Sequence, residues 1–506
     1  MTHSHPLNKF EVQVLEPILH AIAFFPTKNA FFIDEQYYTY QDFAQCISKI
    51  REYLKKRNDI SSNVGLIAND DLETYASIIA IWLEGLAYVP IHPGHPKERG
   101  MDIVKQANIE LVLDSSSTSF LNDVKTVLSK NLLFNDYELE LCSYDSNQLA
   151  YILFTSGSTG QPKGVTITRK NVGAFMEAFW QIGFKIDEKD RCLQCFDLTF
   201  DVSVQSFLVP LTKGACTYTI PHDRIKYSYA SELLEDHKLT FGAMAPSMVR
   251  FLRPYFDEID LPHLRYNILT AEAAPLNLIE EWSECIPNAK IFDLYGPTEA
   301  TIYCTFNEFK RKGFNKELNG MFCIGKPMVG IQAIICNDSG EILSNNMSGE
   351  LCIAGDQVTA GYWKNQVKND SSFILIEQNN KQIRFYKTGD GCYIDDDGDL
   401  MLSGRLDYQV KIQGYRIELG EIEYHTRNAV NGKNAVAVVY ESHSGNHEIA
   451  MFIEDNKLDE DVVRQYLKSK LPSYMIPTKF LLVESFPINT NGKTDRLELL
   501  KILKNE

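Results

Sequence analysis

Short apolar runs alternate with longer segments of helical periodicity over most of the chain. Buried strands are predicted for NVGLIAN, LAYVPI, IELVLD and LAYILFTSG, and helices between them for YASIIAIWLEGL and NVGAFMEAFWQIG. Strands that alternate with helices in this way are typical of parallel sheets covered by helices. The pattern therefore predicts an α/β fold with largely parallel sheets.

The pattern changes near residue 400. A hairpin with an Asp-Gly turn is predicted for CYIDDDGDLMLSGRLD. Beyond it, strands are predicted for AVAVVY, EIAMFIE and KFLLVE, and a helix for DEDVVRQYLKSKL. We therefore expect a large N-terminal domain of several subdomains over residues 1–406 and a small α+β domain over residues 407–506.

Composition narrows the class of protein. The 506 residues carry a net charge of −17, which argues against nucleic acid or an anionic membrane as a main partner. The most apolar segment, ASIIAIWLEGLAYVPI, is interrupted by Glu84 and is too short to cross a bilayer. Cys192 and Cys195 form a C-x-x-C pair without a second pair at zinc spacing, so buried thiols are expected rather than a metal site. These features indicate a reduced, cytoplasmic protein.

A glycine-rich loop with a lysine lies in YILFTSGSTGQPKGV, residues 151–165. Such loops hold phosphates because backbone N–H groups can approach an anion where no Cβ intervenes. The spacing matches neither the nucleotide-triphosphatase loop nor the dinucleotide fingerprint. The loop alone therefore predicts phosphate binding without identifying the reaction.

Four further stretches are polar and rich in turn residues, namely YGPTEATI (295–302), YKTGDG (386–391), GRLDYQVKIQGYRIELGEIE (404–423) and NTNGKTDR (489–496). Each alone is common turn chemistry. In this order and spacing, together with the loop, they resemble the acyl-adenylate-forming enzymes, which include acyl-CoA synthetases, luciferases and amino-acid adenylation domains of nonribosomal peptide synthetases. The resemblance covers nearly the whole chain and is strongest to the amino-acid-activating branch, including stand-alone D-alanine–carrier-protein ligases.

The resemblance implies a ligase in which a substrate carboxylate attacks the α-phosphorus of ATP, with Mg²⁺ as cofactor. Lys493, Lys163 and Glu299 would be catalytic, with Lys493 bridging the carboxylate and the nucleotide and Glu299 binding the metal. Tyr295 would stack on adenine beside Gly296, Asp293 would face the exocyclic amine where relatives often carry asparagine, and Thr298 would lie beside the phosphate. Asp390 and Arg405 would bind the ribose. The loop residues implied at the β- and γ-phosphates are Thr155, Ser156, Gly157, Ser158, Thr159, Gly160 and Lys163.

The resemblance also implies a second half-reaction. Asp407 matches the hinge about which the C-terminal domain turns, so that KIQGYRIELGEIE lines a channel for a phosphopantetheine thiol. The chain ends ten residues after Arg496 without a carrier domain, so a carrier protein acting in trans is the expected partner.

The acyl substrate is predicted from FDLTFDVSVQSF, residues 196–207, where Asp201 matches the family aspartate that pairs with a substrate α-amino group. A buried carboxylate needs a compensating partner, and an ammonium provides one. The other implied pocket residues are Val202, Gln205, Ala243, Leu269, Ala271, Leu294, Ile302 and Tyr303. None of them is charged, which predicts a small or medium uncharged amino acid, with proline first and alanine second.

Two alternatives remain at this point. A CoA ligase for a fatty or aromatic acid would have no α-amino group for Asp201 to pair with. A catalytically silent homologue with only a binding role would have no need of the charged residues at Lys163, Glu299, Asp390, Arg405 and Lys493, all of which the chain retains.

Overall fold

The structure is a computed structural model that describes residues 7–57, 61–134, 139–157, 161–442, 445–488 and 494–504. None of its described helices is both long enough and apolar enough to cross a membrane. The α-helices are Glu16–Phe24, Tyr40–Lys55, Leu72–Leu83, Lys97–Gln106, Arg169–Gln181, Val202–Leu211, Lys226–Asp236, Pro246–Leu252, Leu276–Cys285, Gln366–Ser372, Leu419–Ala429, Glu460–Lys470 and Arg496–Lys504.

A seven-stranded sheet contains all four strands predicted from the apolar runs of the first 155 residues. Its five strands from Leu149–Thr155 to the Lys125–Leu128 edge are parallel, and two antiparallel strands complete the other edge. The order across the sheet is Gly361–Tyr362, Lys163–Thr168, Leu149–Thr155, Ala87–Ile91, Asn63–Ile67, Leu111–Asp114 and Lys125–Leu128.

A nine-stranded sheet carries Ala243, Leu269, Asp293, Leu294 and Tyr295 of the predicted site on its strands. Its six central strands are parallel, so their carboxyl ends meet at one edge, where α/β folds bind ligands. The order is Lys326–Pro327, Thr305–Glu308, Lys290–Tyr295, Tyr266–Thr270, Phe241–Met244, Arg191–Gln194, Cys216–Thr219, Asn29–Ile33 and Gln36–Thr39. The two large sheets confirm the predicted α/β class.

A third sheet is antiparallel, and the sequence pattern predicted only its last hairpin, CYIDDDGDLMLSGRLD. It has five strands, and the pairing of its last two brings Asp390 directly opposite Arg405. The strands are Ile331–Cys336, Gly349–Gly355, Phe373–Gln378, Lys381–Ile394 and Leu400–Arg405. A short antiparallel pair, Glu317–Leu318 and Met321–Phe322, lies in sequence between two edge strands of the nine-stranded sheet, Thr305–Glu308 and Lys326–Pro327. The change in sequence pattern near residue 400 therefore marks the end of an antiparallel region that begins near residue 331.

The residues after Asp407 form a hairpin, Gln409–Ile412 and Tyr415–Glu418, and a three-stranded sheet of Ala435–Glu441, His447–Glu454 and Lys479–Val483. Two clusters of buried apolar side chains in this part draw only on residues from 410 onward. A core of its own is what a separate folding unit needs. The smaller α+β unit thus has the architecture expected from the sequence.

Candidate active site

The predicted phosphate loop connects two neighbouring antiparallel strands of the seven-stranded sheet, with Thr155 opposite Lys163 in the pairing register. Gly157 has to be glycine, because a Cβ there would lie 2.1 Å from the carbonyl oxygen of Gln161. Burial, with the nearby Arg416 guanidinium, lowers the pKa of the Lys163 ammonium. Ser158, Thr159 and Gly160 lie outside the described residues, as does Lys493.

A cleft of about 730 Å³ runs from the carboxyl edge of the nine-stranded sheet to the antiparallel sheet. Five of the predicted nucleotide residues line it, namely Asp293, Tyr295, Gly296, Asp390 and Arg405. Inside the cleft the Tyr295 hydroxyl donates to one oxygen of Asp390, and Nη1 of Arg405 donates to the other at 3.0 Å. The sequence-predicted adenosine residues are therefore brought together in one space.

Asp293 lies at the carboxyl end of its strand in this cleft and is almost fully buried. Burial raises the pKa of its carboxyl group to about 8. At neutral pH the group is therefore mostly the uncharged acid, which can both donate and accept hydrogen bonds, as an asparagine amide does. This is a physical reason why aspartate can stand where relatives often carry asparagine.

Glu299 is fully buried in a short 3₁₀ turn, Thr298–Ala300. One carboxylate oxygen accepts a hydrogen bond from the Tyr362 hydroxyl at 2.6 Å, and the other pairs with Nη1 of Arg416 at 2.7 Å. Burial alone would raise the pKa of Glu299, but the Arg416 and Lys163 cations outweigh it and bring the pKa to about 2. Glu299 is thus an anion at physiological pH, and the Arg416 guanidinium already neutralises its charge.

Asp201 lies at the start of the helix Val202–Leu211 and is 8% exposed. Its Oδ2 atom has no hydrogen-bond partner among the described residues, and burial raises the pKa of its carboxyl group to about 6. A small cavity of about 50 Å³ lies between Asp201, Ala271 and Arg416. The site therefore offers a buried carboxylate oxygen that lacks a partner, next to a space for roughly four water-sized groups.

Of the other predicted pocket residues, Val202 and Ala271 line this cavity. The rest do not line it and are buried, namely Gln205, Ala243, Leu269, Leu294, Ile302 and Tyr303. The Tyr303 hydroxyl donates to Oε1 of Gln205 at 3.3 Å, and both side chains are fully buried. Nε2 of Gln357 donates to the backbone oxygen of Tyr303 at 2.6 Å, which fixes the turn that carries it. The hydrogen bond thus joins two of the predicted pocket residues in the core.

The hairpin 409–418 enters the site. The sequence predicted only that this segment lines a channel for the thiol. Its two-residue turn, Gln413 and Gly414, has positive φ at both positions, which gives a tight hairpin that can insert between other elements. The Gly414 amide donates to Oε1 of Glu272 at 2.6 Å, and the Lys411 ammonium lies 5.6 Å from the Tyr295 ring centroid. Burial lowers the pKa of Lys411. Sequence reasoning did not single out Lys411, Arg416 or Glu418, because their partners are remote in sequence.

The predicted hinge residue, Asp407, forms an ion pair with Arg405, which is predicted to bind the ribose. Nε and Nη2 of Arg405 donate to the two oxygens of Asp407 at 2.9 and 2.6 Å, while Nη1 reaches Asp390. One guanidinium therefore connects this cleft with the start of the C-terminal unit.

Comparison with known proteins agrees with this architecture. Residues 19–363 match the family model described as AMP-binding enzyme. A linear gramicidin synthase of Brevibacillus parabrevis is 32% identical over 482 residues, which are 94% of this chain and 9% of the synthase polypeptide. A plipastatin synthase of Bacillus subtilis is 30% identical over 98% of this chain and 14% of its own length. The chain thus spans a small part of these curated relatives.

Among solved structures, the adenylation domain AlmE of Vibrio cholerae in complex with glycyl-adenosine-5'-phosphate superposes with a TM-score of 0.86 at 24% identity, covering all of both chains. An NRPS protein containing adenylation and PCP domains gives 0.85 at 22% identity, over 98% of this chain and 85% of that one. The fold is therefore that of an adenylation domain. The chain belongs to the AMP-binding enzyme family.

Proposed function

We propose that the protein activates an amino acid with ATP, releases pyrophosphate and transfers the aminoacyl group to the phosphopantetheine thiol of a carrier protein. The observation that carries the proposal is the Oδ2 atom of Asp201, which is buried without a partner among the described residues beside the nucleotide cleft. A buried carboxylate oxygen without a partner is costly, and a substrate ammonium in the adjoining cavity would compensate it. A fatty or aryl acid has no group that would do so, which makes the CoA-ligase alternative the weaker one.

In this proposal the nucleotide occupies the 730 Å³ cleft, with Asp390 and Arg405 at the ribose and Asp293 at the adenine. Two anions must meet, so the rate depends mainly on charge neutralisation and in-line positioning. Lys163 and the loop amides would hold the departing phosphates, and Lys493 would bridge the reacting groups.

Glu299 fits the role of a magnesium ligand. It is an anion at physiological pH, and its Oε2 atom already accepts a cationic partner, Arg416, at 2.7 Å. Magnesium is commonly held by one or two carboxylates together with substrate phosphates and waters. When bound, the metal would neutralise charge on the phosphates, while Tyr362 keeps the Glu299 carboxylate oriented.

A cavity of about 270 Å³ supports a route for the thiol. Phe196, Phe200 and Lys226 line it from the large domain, and Gln413, Gly414 and Tyr415 line it from the hairpin turn. The hairpin is thus one wall of this cavity, which supports the predicted channel for the thiol. Similarity to an NRPS protein that contains adenylation and PCP domains also favours a carrier protein as the acceptor.

Similarity to an adenylation domain in complex with glycyl-adenosine-5'-phosphate favours the small end of the predicted substrate range. We therefore place alanine and glycine ahead of proline. The prediction is that pyrophosphate exchange is fastest with one of these two and far slower with glutamate, lysine or a fatty acid. A buried unpaired charge on the substrate side chain would cost several kcal/mol.

A substitution at Tyr303 tests the role of the Gln205–Tyr303 hydrogen bond. Tyr303→Ala removes the hydroxyl and the ring that support Gln205, so larger uncharged amino acids should gain activity relative to alanine. Fastest exchange with an acidic, basic or fatty substrate in the wild-type protein would contradict the proposed pocket.

The hinge gives a separate prediction. Asp407→Pro should leave pyrophosphate exchange within about tenfold of wild type but block transfer to the thiol, because proline fixes the φ angle that a rotation must change. Asp407→Ala is the matched control, since it removes the same Arg405 contacts and leaves the dihedral free. Equal loss of transfer in both variants would assign the effect to the ion pair and not to a hinge.

A further inference from the structure

The cavity of about 270 Å³ on the proposed thiol route contains two opposite charges. Among the described residues that line it, only Asp197 and Lys226 are charged, and both belong to the large domain. The rest of the lining is mostly aromatic or aliphatic, for example Phe196, Ile225 and Phe251. Charged groups beside apolar walls need polar partners, so an occupant that offers both a donor and an acceptor would fit this cavity best.

Asp197 keeps its negative charge although it is only 8% exposed. Its Oδ1 atom accepts from the backbone amide and the hydroxyl of Thr199 at 3.0 and 2.8 Å, and its Oδ2 atom accepts from Nε2 of His92 at 2.9 Å. The Gly94 amide donates to Nδ1 of His92, so the neutral ring carries its proton on Nε2. Burial alone would raise the pKa of Asp197, but the His92 hydrogen bond and the Lys226 charge hold it well below its usual value. Asp197 is thus a fixed anion, and Oδ2 has a second lone pair with which to accept.

Lys226 is positively charged in the same cavity. Burial alone would lower the pKa of its ammonium, but Tyr415 and the Asp197 carboxylate raise it above its usual value. An ammonium has three donors, and the hydrogen bond described for this one, from Nζ to the Tyr415 hydroxyl, is long at 3.5 Å. Among the described ion pairs, Asp197 pairs with His92 and not with Lys226. The cavity therefore holds a charged donor and a charged acceptor that are not joined to each other.

This cavity adjoins the place where the thiol has to react. Phe200 and Gly414 line both this cavity and the smaller one beside Asp201. A sulfur atom that reaches the smaller cavity would leave the atoms behind it beside Asp197 and Lys226. In phosphopantetheine those atoms are an ethylene group followed by an amide, which offers one N–H donor and one carbonyl acceptor.

We propose that Lys226 and Asp197 are positioning residues that hold an amide of the phosphopantetheine arm, with the Lys226 ammonium donating to its carbonyl oxygen and the Asp197 carboxylate accepting from its N–H. The inference rests on the proposed function and assigns recognition of the acceptor thiol to two residues of the large domain. Hydrogen bonds to charged groups are the stronger ones, and a thiol without an amide leaves both charges unsatisfied. Such a thiol should be a poorer acceptor even when it is small enough to enter.

Three small thiols test the amide contacts in the wild-type protein. N-acetylcysteamine has the amide nearest the sulfur of the arm, 2-mercaptoethyl acetate has an ester oxygen in place of the N–H, and propane-1-thiol has neither polar group. With saturating ATP and the preferred amino acid, kcat/KM for transfer is divided by the uncatalysed rate of the same thiol. The corrected values should fall in the order given, by about tenfold or more between the first and the last. Equal corrected values for all three thiols would overturn the inference.

Substitutions separate the two contacts. Lys226→Met should lower kcat/KM for N-acetylcysteamine and 2-mercaptoethyl acetate, relative to propane-1-thiol, by between about 10-fold and about 100-fold, because both lose the donor to their carbonyl oxygen. Asp197→Asn should remove the advantage of N-acetylcysteamine over the ester. Lys226→Arg should restore most of the loss, since it returns a charged donor. Lys189→Met, an exposed change in the same domain, should transfer as wild type does.

The outcomes distinguish this inference from the proposed function. An equal loss for all three thiols in Lys226→Met would mean that the lysine only holds the hairpin through Tyr415, and no loss would mean that it does not touch the acceptor. Either result overturns the inference and leaves the proposed function intact. Absence of amino-acid-dependent pyrophosphate exchange in the wild-type protein would overturn both. The wild-type thiol series decides the matter if a variant folds poorly.

Discussion

Lys493→Ala should lower amino-acid-dependent pyrophosphate exchange by about a thousandfold or more while ATP binding stays nearly unchanged. The lysine charge matters chiefly as the substrate carboxylate and the α-phosphate approach each other, so its loss raises the barrier more than it weakens ground-state binding. Exchange kinetics and calorimetric ATP titration measure the two quantities separately.

Lys501→Ala provides the control, because it removes an exposed lysine from the same unit. Thioester formation from supplied aminoacyl-AMP should survive Lys493→Ala, since the role proposed for this lysine belongs to the first half-reaction. Exchange within about tenfold of wild type would remove Lys493 from the reaction.

Asp201→Asn should lower kcat/KM nearly as much as Lys493→Ala lowers exchange, but only for substrates with an α-amino group. Leaving a buried charge without its partner costs about 3–5 kcal/mol, which corresponds to a loss in kcat/KM of between about 100-fold and about 5,000-fold. The des-amino analogue of the preferred substrate should lose far less, because it brings no ammonium into the cavity.

Asp236→Asn, at the exposed end of a helix, is the matched control for a lost aspartate charge. An equal loss for the amino acid and its des-amino analogue would mean that Asp201 supports the fold of the pocket and does not recognise the substrate.

Much of the fold follows from local pattern. Apolar runs such as those that became Asn63–Ile67 and Ala87–Ile91 are buried on both faces of a parallel sheet, so short continuous hydrophobic runs predict them directly. The region from Ile331 to Arg405 is harder to predict from the sequence, because its antiparallel strands are longer, partly exposed and interrupted by turns. Its register, which joins Asp390 to Arg405, is set by pairing across a bulge and not by local pattern.

The site was predictable where a motif carries its own geometry. The strand and turn that bear Asp293, Tyr295 and Gly296 need only their local sequence to reach the edge of the sheet. The contacts of Arg416 with Glu299 join residues 117 positions apart, and nothing in either segment specifies the other. The Gln205–Tyr303 hydrogen bond likewise depends on a helix and a turn that meet only in the folded chain.

In the proposed reaction an amino-acid carboxylate attacks the α-phosphorus of ATP. The most direct test supplies alanine or glycine labelled with ¹⁸O in its carboxylate, together with ATP, Mg²⁺ and a phosphopantetheinyl carrier or hydroxylamine as acceptor. One labelled oxygen should appear in the AMP released, because the bridging oxygen of the aminoacyl-AMP comes from the carboxylate and stays with phosphorus when the acyl group leaves. Label in inorganic phosphate with ADP as the other product, or amino-acid-dependent turnover that leaves AMP unlabelled, would contradict the account.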